Sequence, residues 1–176
     1  MRTLILNIVC SVFFFTGQHA NAQENCKYNV DKKDPFTDKA VHAIITPLKF
    51  IIFPAFNWQL FLYKEGDSYH LETSVAFAGV VNDVLEKGDS LQFKFENGKI
   101  FTAYARDLII PLISGSDSRV TAYQNAYFPI TPEDITLFTV SPVSFVQMNA
   151  GVRKFQEKVN EKSAKKIINA ALCVMK

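Results

Sequence analysis

Two of the three histidines and a serine-rich segment could carry nucleophilic chemistry in this sequence. His42 and His70 could act as general bases, and three serines surround Asp117 within residues 114–118. Members of a catalytic triad meet only in the fold, so their separation along the chain does not exclude one. However, His70 lies in an alternating polar and apolar segment, on its polar face. We therefore interpret both histidines as structural or exposed.

Established catalytic motifs do not occur in the sequence. It has no G-x-S-x-G elbow, H-E-x-x-H helix, phosphate-binding loop or dinucleotide fingerprint. We therefore predict no catalytic residue and no cofactor. A pair of acids that converges only in the fold, as in glycoside hydrolases, keeps an enzyme open as the alternative.

A metal site is also disfavoured by the residues present. Asp31, Asp34 and Asp38 lack the glycine and the closing glutamate of an EF-hand loop, and the lysines between them oppose a cation. Cys26 and Cys173 have no histidines nearby in the sequence and make a poor zinc site. We expect no metal ligand, and we interpret residues 23–37 as a solvated N-terminal arm.

The first 22 residues have the pattern of a signal peptide. Arg2 supplies the positive charge, residues 4–15 form a short apolar segment, and Ala20 and Ala22 give a small-x-small cleavage site before Gln23. The apolar segment is too short to span a membrane comfortably. We predict an exported protein, periplasmic or secreted, whose mature chain, residues 23–176, is one domain.

The predicted export affects the expected oxidation state of the cysteines. Only Cys26 and Cys173 would remain after cleavage, one near each end of the mature chain. Because exported proteins meet an oxidising compartment, we predict a disulfide between them.

Charge and composition exclude some partners and leave others open. The net charge of +2 gives no argument for nucleic acid or for an anionic membrane surface. The 16 phenylalanines indicate either a large aromatic core or an exposed apolar surface.

The clearest structural signal is a β-hairpin in residues 88–106. Asn97-Gly98 is typical of a two-residue type I′ turn between alternating segments. That turn would pair Phe95 with Ile100 and Leu91 with Tyr104. The predicted core face is Leu91, Phe93, Phe95, Ile100 and Tyr104, and the predicted polar face is Gln92, Lys94, Glu96 and Lys99.

Other segments predict further strands and two helices. The strands are expected over residues 39–48, 56–62, 69–77, 119–128, 143–148 and 152–158, with residues 114–118 as a loop. Thr131 is expected to cap a short helix and Asn160 a terminal one. The terminal helix has an apolar stripe consisting of Ala164, Ile167, Ile168, Ala171, Leu172 and Met175. This order predicts an α+β fold in which an antiparallel sheet of hairpins packs against the C-terminal helix, or alternatively a β-sandwich with an appended helix.

The order of several short motifs adds a resemblance to these arguments. The motifs are Lys87-Gly88-Asp89, Glu96-Asn97-Gly98-Lys99, Ser114-Gly115-Ser116, a Tyr-x-x-x-Tyr-Phe-Pro segment before Thr131, and Asn160 to Ala164. In this order the chain resembles a group of small uncharacterised exported proteins of Gram-negative bacteria. That resemblance implies an exported α+β protein without an established activity, and it assigns no site residue.

Taken together, these features predict an exported, non-enzymatic binding or interaction module. Its expected partner is a protein or a small apolar ligand, with no nucleic acid and no integral membrane segment after cleavage. The alternative is a small secreted hydrolase with an unrecognised site. The sequence identifies no ligand-binding residue.

Overall fold

A computed structural model describes residues 26–51, 56–78, 84–116, 119–151 and 153–176. The predicted signal peptide lies outside these residues. Along the chain, the elements are β1 Val30–Lys33, β2 Ala40–Ile51, β3 Phe56–Glu65, β4 Ser68–Ala78, β5 Ser90–Phe95, β6 Ile100–Tyr104, β7 Leu112–Ser116, β8 Arg119–Ile130, α1 Pro132–Val140, β9 Val143–Ala150, β10 Arg153–Lys158 and α2 Glu161–Val174.

The strands form two antiparallel sheets. One has six strands in the order β1-β2-β3-β4-β8-β7, and the other has four in the order β10-β9-β5-β6. Helix α2 packs against β2, β3 and β9. The α+β prediction with a C-terminal helix is confirmed, and the two sheets are also compatible with the sandwich alternative.

The core lies between the inner faces of the sheets and the helices. Trp58, Leu60 and Leu71 contribute from the larger sheet. The smaller sheet contributes phenylalanines that surround Phe138 of α1, whose ring lies 5.0 Å from the Phe93 ring in an edge-to-face arrangement. Much of the aromatic content is therefore in the core.

The central hairpin forms, but its predicted register was wrong by one residue. The amide of Phe95 donates to the carbonyl of Lys99, and Gly98 has a φ of +84°, so the loop has three residues. Such a loop is a type I turn followed by a glycine bulge, and Asn-Gly suits it as well as type I′. Phe93 therefore faces Phe101, whereas Ile100 and Tyr104 point to solvent, 67% and 60% exposed.

The two helices begin at the predicted caps. The hydroxyl of Thr131 accepts a hydrogen bond from the amide of Asp134, whose carboxylate accepts one from the amide of Thr131. The side chain of Asn160 accepts a hydrogen bond from the amide of Ser163. Both caps satisfy amides that have no partner within the helix.

The apolar stripe of α2 is rotated from its predicted position. Ala164, Ile167 and Ala171 are buried as expected, but Leu172 and Met175 are 45% and 42% exposed. Their predicted places are taken by Ala170, Cys173 and Val174. Small residues let the helix approach the sheet closely, which hydropathy alone does not indicate.

Two segments predicted as irregular contain strands. Residues 30–33 of the supposed arm pair with β2. In the supposed 114–118 loop, Ser114 and Gly115 continue β7 and pair with Thr121 and Val120, while Asp117 and Ser118 lie outside the described residues. In both cases, backbone pairing with a neighbouring strand outweighs a composition typical of loops.

The N-terminal segment lies close to the terminal helix. The sulfur atoms of Cys26 and Cys173 are 2.11 Å apart, which is disulfide distance. The hydroxyl of Tyr28 also donates to the carbonyl oxygen of Cys173, at 2.9 Å. Among the described residues, no helix combines the length and hydropathy needed to cross a membrane.

Candidate ligand-binding site

The outer face of the six-stranded sheet carries a group of polar and aromatic side chains. Because side chains alternate along a strand, β3, β4 and β8 bury one set in the core and present the other set outward. Tyr63 pairs with His70, and Glu72 pairs with Tyr127. The sheet thus places these four side chains side by side, and we call them the outer-face cluster.

Stacked rings order this cluster. The His70 ring lies 4.6 Å from the Tyr63 ring, and the two planes are within 10° of parallel. On its other side, His70 lies 5.5 Å from the Tyr127 ring. The guanidinium of Arg106, from the segment after β6, lies 5.7 Å from the centre of the Tyr127 ring. The result is a continuous row of rings with a cation at its end.

Glu72 is the buried acid of the cluster. It is only 7% exposed, and the pKa of its carboxyl responds to a hydrogen-bonding interaction with the hydroxyl of Tyr63. Burial raises the pKa of Glu72, and the bond from Tyr63 opposes that rise. Burial, together with the charge and hydrogen bond of Glu72, raises the pKa of Tyr63 to about 12.

The other titratable groups respond to the same surroundings. Burial lowers the pKa of His70, and the positive charge of Arg106 adds to this effect, while Glu65 opposes it. Burial and the charge of Glu72 raise the pKa of Tyr127. The histidine is therefore neutral and the tyrosines keep their protons at pH 7, so they offer hydrogen-bonding groups and not charge.

A cleft of about 710 Å³ opens over this cluster. It is lined by Val30, Lys32, Asp34, Lys39, Val41, Tyr63, Glu65, Ser68, Tyr69, His70, Arg106, Tyr127 and Pro129. The lining includes three cationic side chains and two acidic ones. The cations are Lys32, Lys39 and Arg106, and the acids are Asp34 and Glu65. One of the acids, Asp34, accepts hydrogen bonds from the backbone amides of Phe36 and Thr37.

The structure does not bring together the histidines and serines that were considered as candidates for nucleophilic chemistry. His70 pairs with Pro129 on β8, whereas Ser114 is joined through β7 to Thr121, eight residues away. At the rise of an extended strand, that separation is about 26 Å. The His42 ring lies 4.6 Å from the Tyr28 ring, tilted by 33°, and its Nδ1 is 3.1 Å from Asp31, so it belongs to the packing around β1. Among the described residues, no group of histidines, cysteines or acids could hold a metal ion.

Sequence reasoning identified His70 as a polar-face residue but missed its neighbours. The alternation of His70 and Glu72 on β4 was a usable signal for the outer face. Nothing in the sequence showed that β8 pairs with β4 and brings Tyr127 beside them. The position of Arg106 depends on the path that the chain takes in residues 105–107, just after β6. No local sequence motif indicates that path.

Comparison with known proteins yields no family model, no curated protein and no solved structure that matches this chain.

Proposed function

We propose that this protein is an exported binding module that holds a small anionic ligand with a planar group in the outer-face cleft. The observation that carries the proposal is the ordered row of rings ending in Arg106 beside a polar cleft. Charged and hydroxyl-bearing side chains dominate the lining, which favours a polar ligand over the small apolar ligand that the sequence suggested.

Arg106 is the group best suited to hold an anion. Its Nε donates to Asp107 at 2.6 Å, and a guanidinium has four further N–H donors on its two terminal nitrogens. A planar guanidinium group can bind a carboxylate or phosphate through two parallel N–H···O hydrogen bonds. Tyr127, over whose ring the guanidinium lies, lines the cleft and is 38% exposed, so it offers apolar ring surface for the planar part of a ligand.

The same contacts argue against turnover. A general acid must reach the reacting atom of a substrate, and a raised carboxyl pKa is typical of such a group. Glu72 has the raised pKa, but it is buried, interacts with the hydroxyl of Tyr63 and is not among the residues that line the cleft. His70 stacks on Tyr63, lies beside the tilted ring of Tyr127 and is distant from Ser114. A fixed arrangement of this kind favours recognition because little order has to be gained on binding.

Calorimetric titration of the mature protein with benzoate, a planar anion, tests the proposal. We expect saturable binding, weakened at least about tenfold by Arg106→Gln, because hydrogen bonds to charged groups contribute about 1.5–3 kcal/mol. Lys158→Gln, on exposed β10, is the matched control and should bind as the native protein does. Equal benzoate affinities of the two variants would show that Arg106 does not contribute to binding.

Hydrolysis assays with p-nitrophenyl acetate and p-nitrophenyl glycosides test the alternative. We expect no turnover above the rate in buffer. Turnover that Glu72→Gln abolishes would replace the binding proposal with the hydrolase.

A further inference from the structure

The lining of the outer-face cleft contains an acid that has no role in binding an anion. Glu65 and Arg106 both line this cleft, with the rings of the outer-face cluster. The guanidinium of Arg106 lies over the ring of Tyr127, at one end of the row of rings. The proposed function uses that cation and leaves Glu65 unexplained.

Glu65 lies beside the other end of the row. It is the last residue of β3, two residues after Tyr63, and alternate residues of a strand share one face of the sheet. At the rise of a strand, the Cα atoms of these two residues are about 7 Å apart. The row of rings therefore runs from Tyr63 through His70 to Tyr127, with Glu65 beside its first ring and Arg106 over its last.

The ring in the middle of the row lies in the fields of both charges. Burial is the largest influence on the pKa of His70 and lowers it. The negative charge of Glu65 raises this pKa, and the positive charge of Arg106 lowers it. A ligand that lies over the row would have an acid near one end and a cation near the other.

Glu65 has no partner within the part of the chain that the structure describes. There its carboxylate forms no ion pair and no side-chain hydrogen bond. The side chain is also partly buried, so water screens its charge less than that of an exposed acid. Glu65 is therefore available to a positively charged group of a ligand.

The two lysines of the lining lie on the side of Glu65 away from the rings. Lys32 and Glu65 pair with opposite sides of Val41, so two strand spacings, about 10 Å, separate them. Backbone amides lower the pKa of Asp34, and the charge of Lys32 adds to that effect. The aliphatic stem of Lys39 packs beside the glycine of the turn between β3 and β4. The charge nearest to the Tyr63 ring is thus negative.

We propose that the ligand of the outer-face cleft is a zwitterion, whose planar body carries an anionic group held by Arg106 and an ammonium group held by Glu65. This inference rests on the proposed function and adds Glu65 as the residue that determines which anions bind. Opposite charges at two ends of a site favour a ligand with the complementary charges and disfavour one with two like charges.

Calorimetric titration with substituted benzoates tests the proposal. At pH 7, p-(aminomethyl)benzoate, whose amine is protonated, should bind about fivefold more tightly than benzoate, which is the gain expected from one partly exposed ion pair. The hydroxyl of p-(hydroxymethyl)benzoate replaces the ammonium group without its charge, so this compound should bind as benzoate does. Terephthalate has a second carboxylate in that position and should bind more weakly than benzoate.

Two variants assign the preference to one carboxylate. Glu65→Gln should make the affinities for benzoate and p-(aminomethyl)benzoate equal. Asp67→Asn is the matched control, because Asp67 is an acid two residues further along the chain that does not line the cleft. This variant should keep the preference. Melting curves verify that both variants are folded.

The outcomes separate this inference from the proposed function. Saturable benzoate binding without a preference for the ammonium compound, or a preference that Glu65→Gln retains, would overturn the zwitterion and leave the proposed function intact. Terephthalate binding more tightly than benzoate would overturn it in favour of a dianion held by the lysines. If none of these compounds binds, both the proposed function and this inference fail.

Discussion

The rings of Tyr63 and His70 lie 4.6 Å apart and within 10° of parallel on the outer face of the six-stranded sheet. The two residues are paired on adjacent strands, β3 and β4. The hydroxyl of Tyr63 also interacts, as a hydrogen-bond donor, with the carboxyl of the buried Glu72, and this interaction opposes the rise in the pKa of Glu72. Tyr63 therefore links the stacked histidine of the proposed binding surface to its buried acid.

Removing that donor should destabilise the protein. Tyr63→Phe keeps the ring and leaves the buried Glu72 carboxylate without this hydrogen bond, which costs about 1–3 kcal/mol. Urea unfolding at pH 7 measures the change. Tyr123→Phe, on β8 and 43% exposed, is the control and should stay within about 0.5 kcal/mol of the native protein. Equal stabilities of the two variants would show that the Tyr63 bond contributes nothing.

The raised pKa of Glu72 predicts a pH dependence of stability. Because the folded state holds this proton more tightly than the unfolded state, the contribution of Glu72 is present at low pH. It is lost as the pH rises from the ordinary glutamate pKa through the raised folded one. Glu72→Gln cannot titrate, so the native protein should lose stability relative to this variant across that window. A difference that stays constant with pH would contradict the raised pKa.

The register of the central hairpin gives a separate prediction. Phe101→Ala should lower the free energy of unfolding by about 3–5 kcal/mol, because Phe101 packs on Phe138 in the core. Ile100→Ala should change it by only about 0.5 kcal/mol, because Ile100 is exposed. Thermal or urea unfolding measures both. If Ile100→Ala destabilised the protein more than Phe101→Ala, the result would instead support the two-residue turn, in which Ile100 faces the core.

The central hairpin and the two helices show which parts of this fold the sequence predicts. Caps such as Thr131 and Asn160 depend on local hydrogen bonds, so their residue types predict them. The choice between a two-residue and a three-residue loop at Asn97-Gly98 depends on small differences in strand packing. A shift of one residue then changes which side chains are buried.

The candidate site was less predictable than the fold. His70 and Glu72 are two residues apart, and alternation places them on one face. Tyr127 joins them only because β8 pairs with β4, a contact between segments more than 50 residues apart in sequence. Such pairing is fixed by the whole core and has no local signal.

The two cysteines predict a measurable effect of reduction. A bond between Cys26 and Cys173 closes a loop with a sequence separation of 147, and in the chain-entropy model such closure stabilises by up to about 5 kcal/mol. Reducing a protein that consists of residues 23–176 should lower its melting temperature without abolishing the fold. Peptide mapping without reductant tests the bond, and two free thiols in the denatured, unreduced monomer would contradict it.

Chemical-shift mapping of benzoate binding tests the central claim most directly. Titrating the isotopically labelled mature protein should shift the amides of Tyr63, His70, Arg106 and Tyr127 together, with one dissociation constant. In Arg106→Gln these shifts should require at least about tenfold more benzoate. Shifts that cluster instead near Lys27 and Lys166, around a separate cavity of about 380 Å³, or no shifts at all, would contradict a binding site in the outer-face cleft.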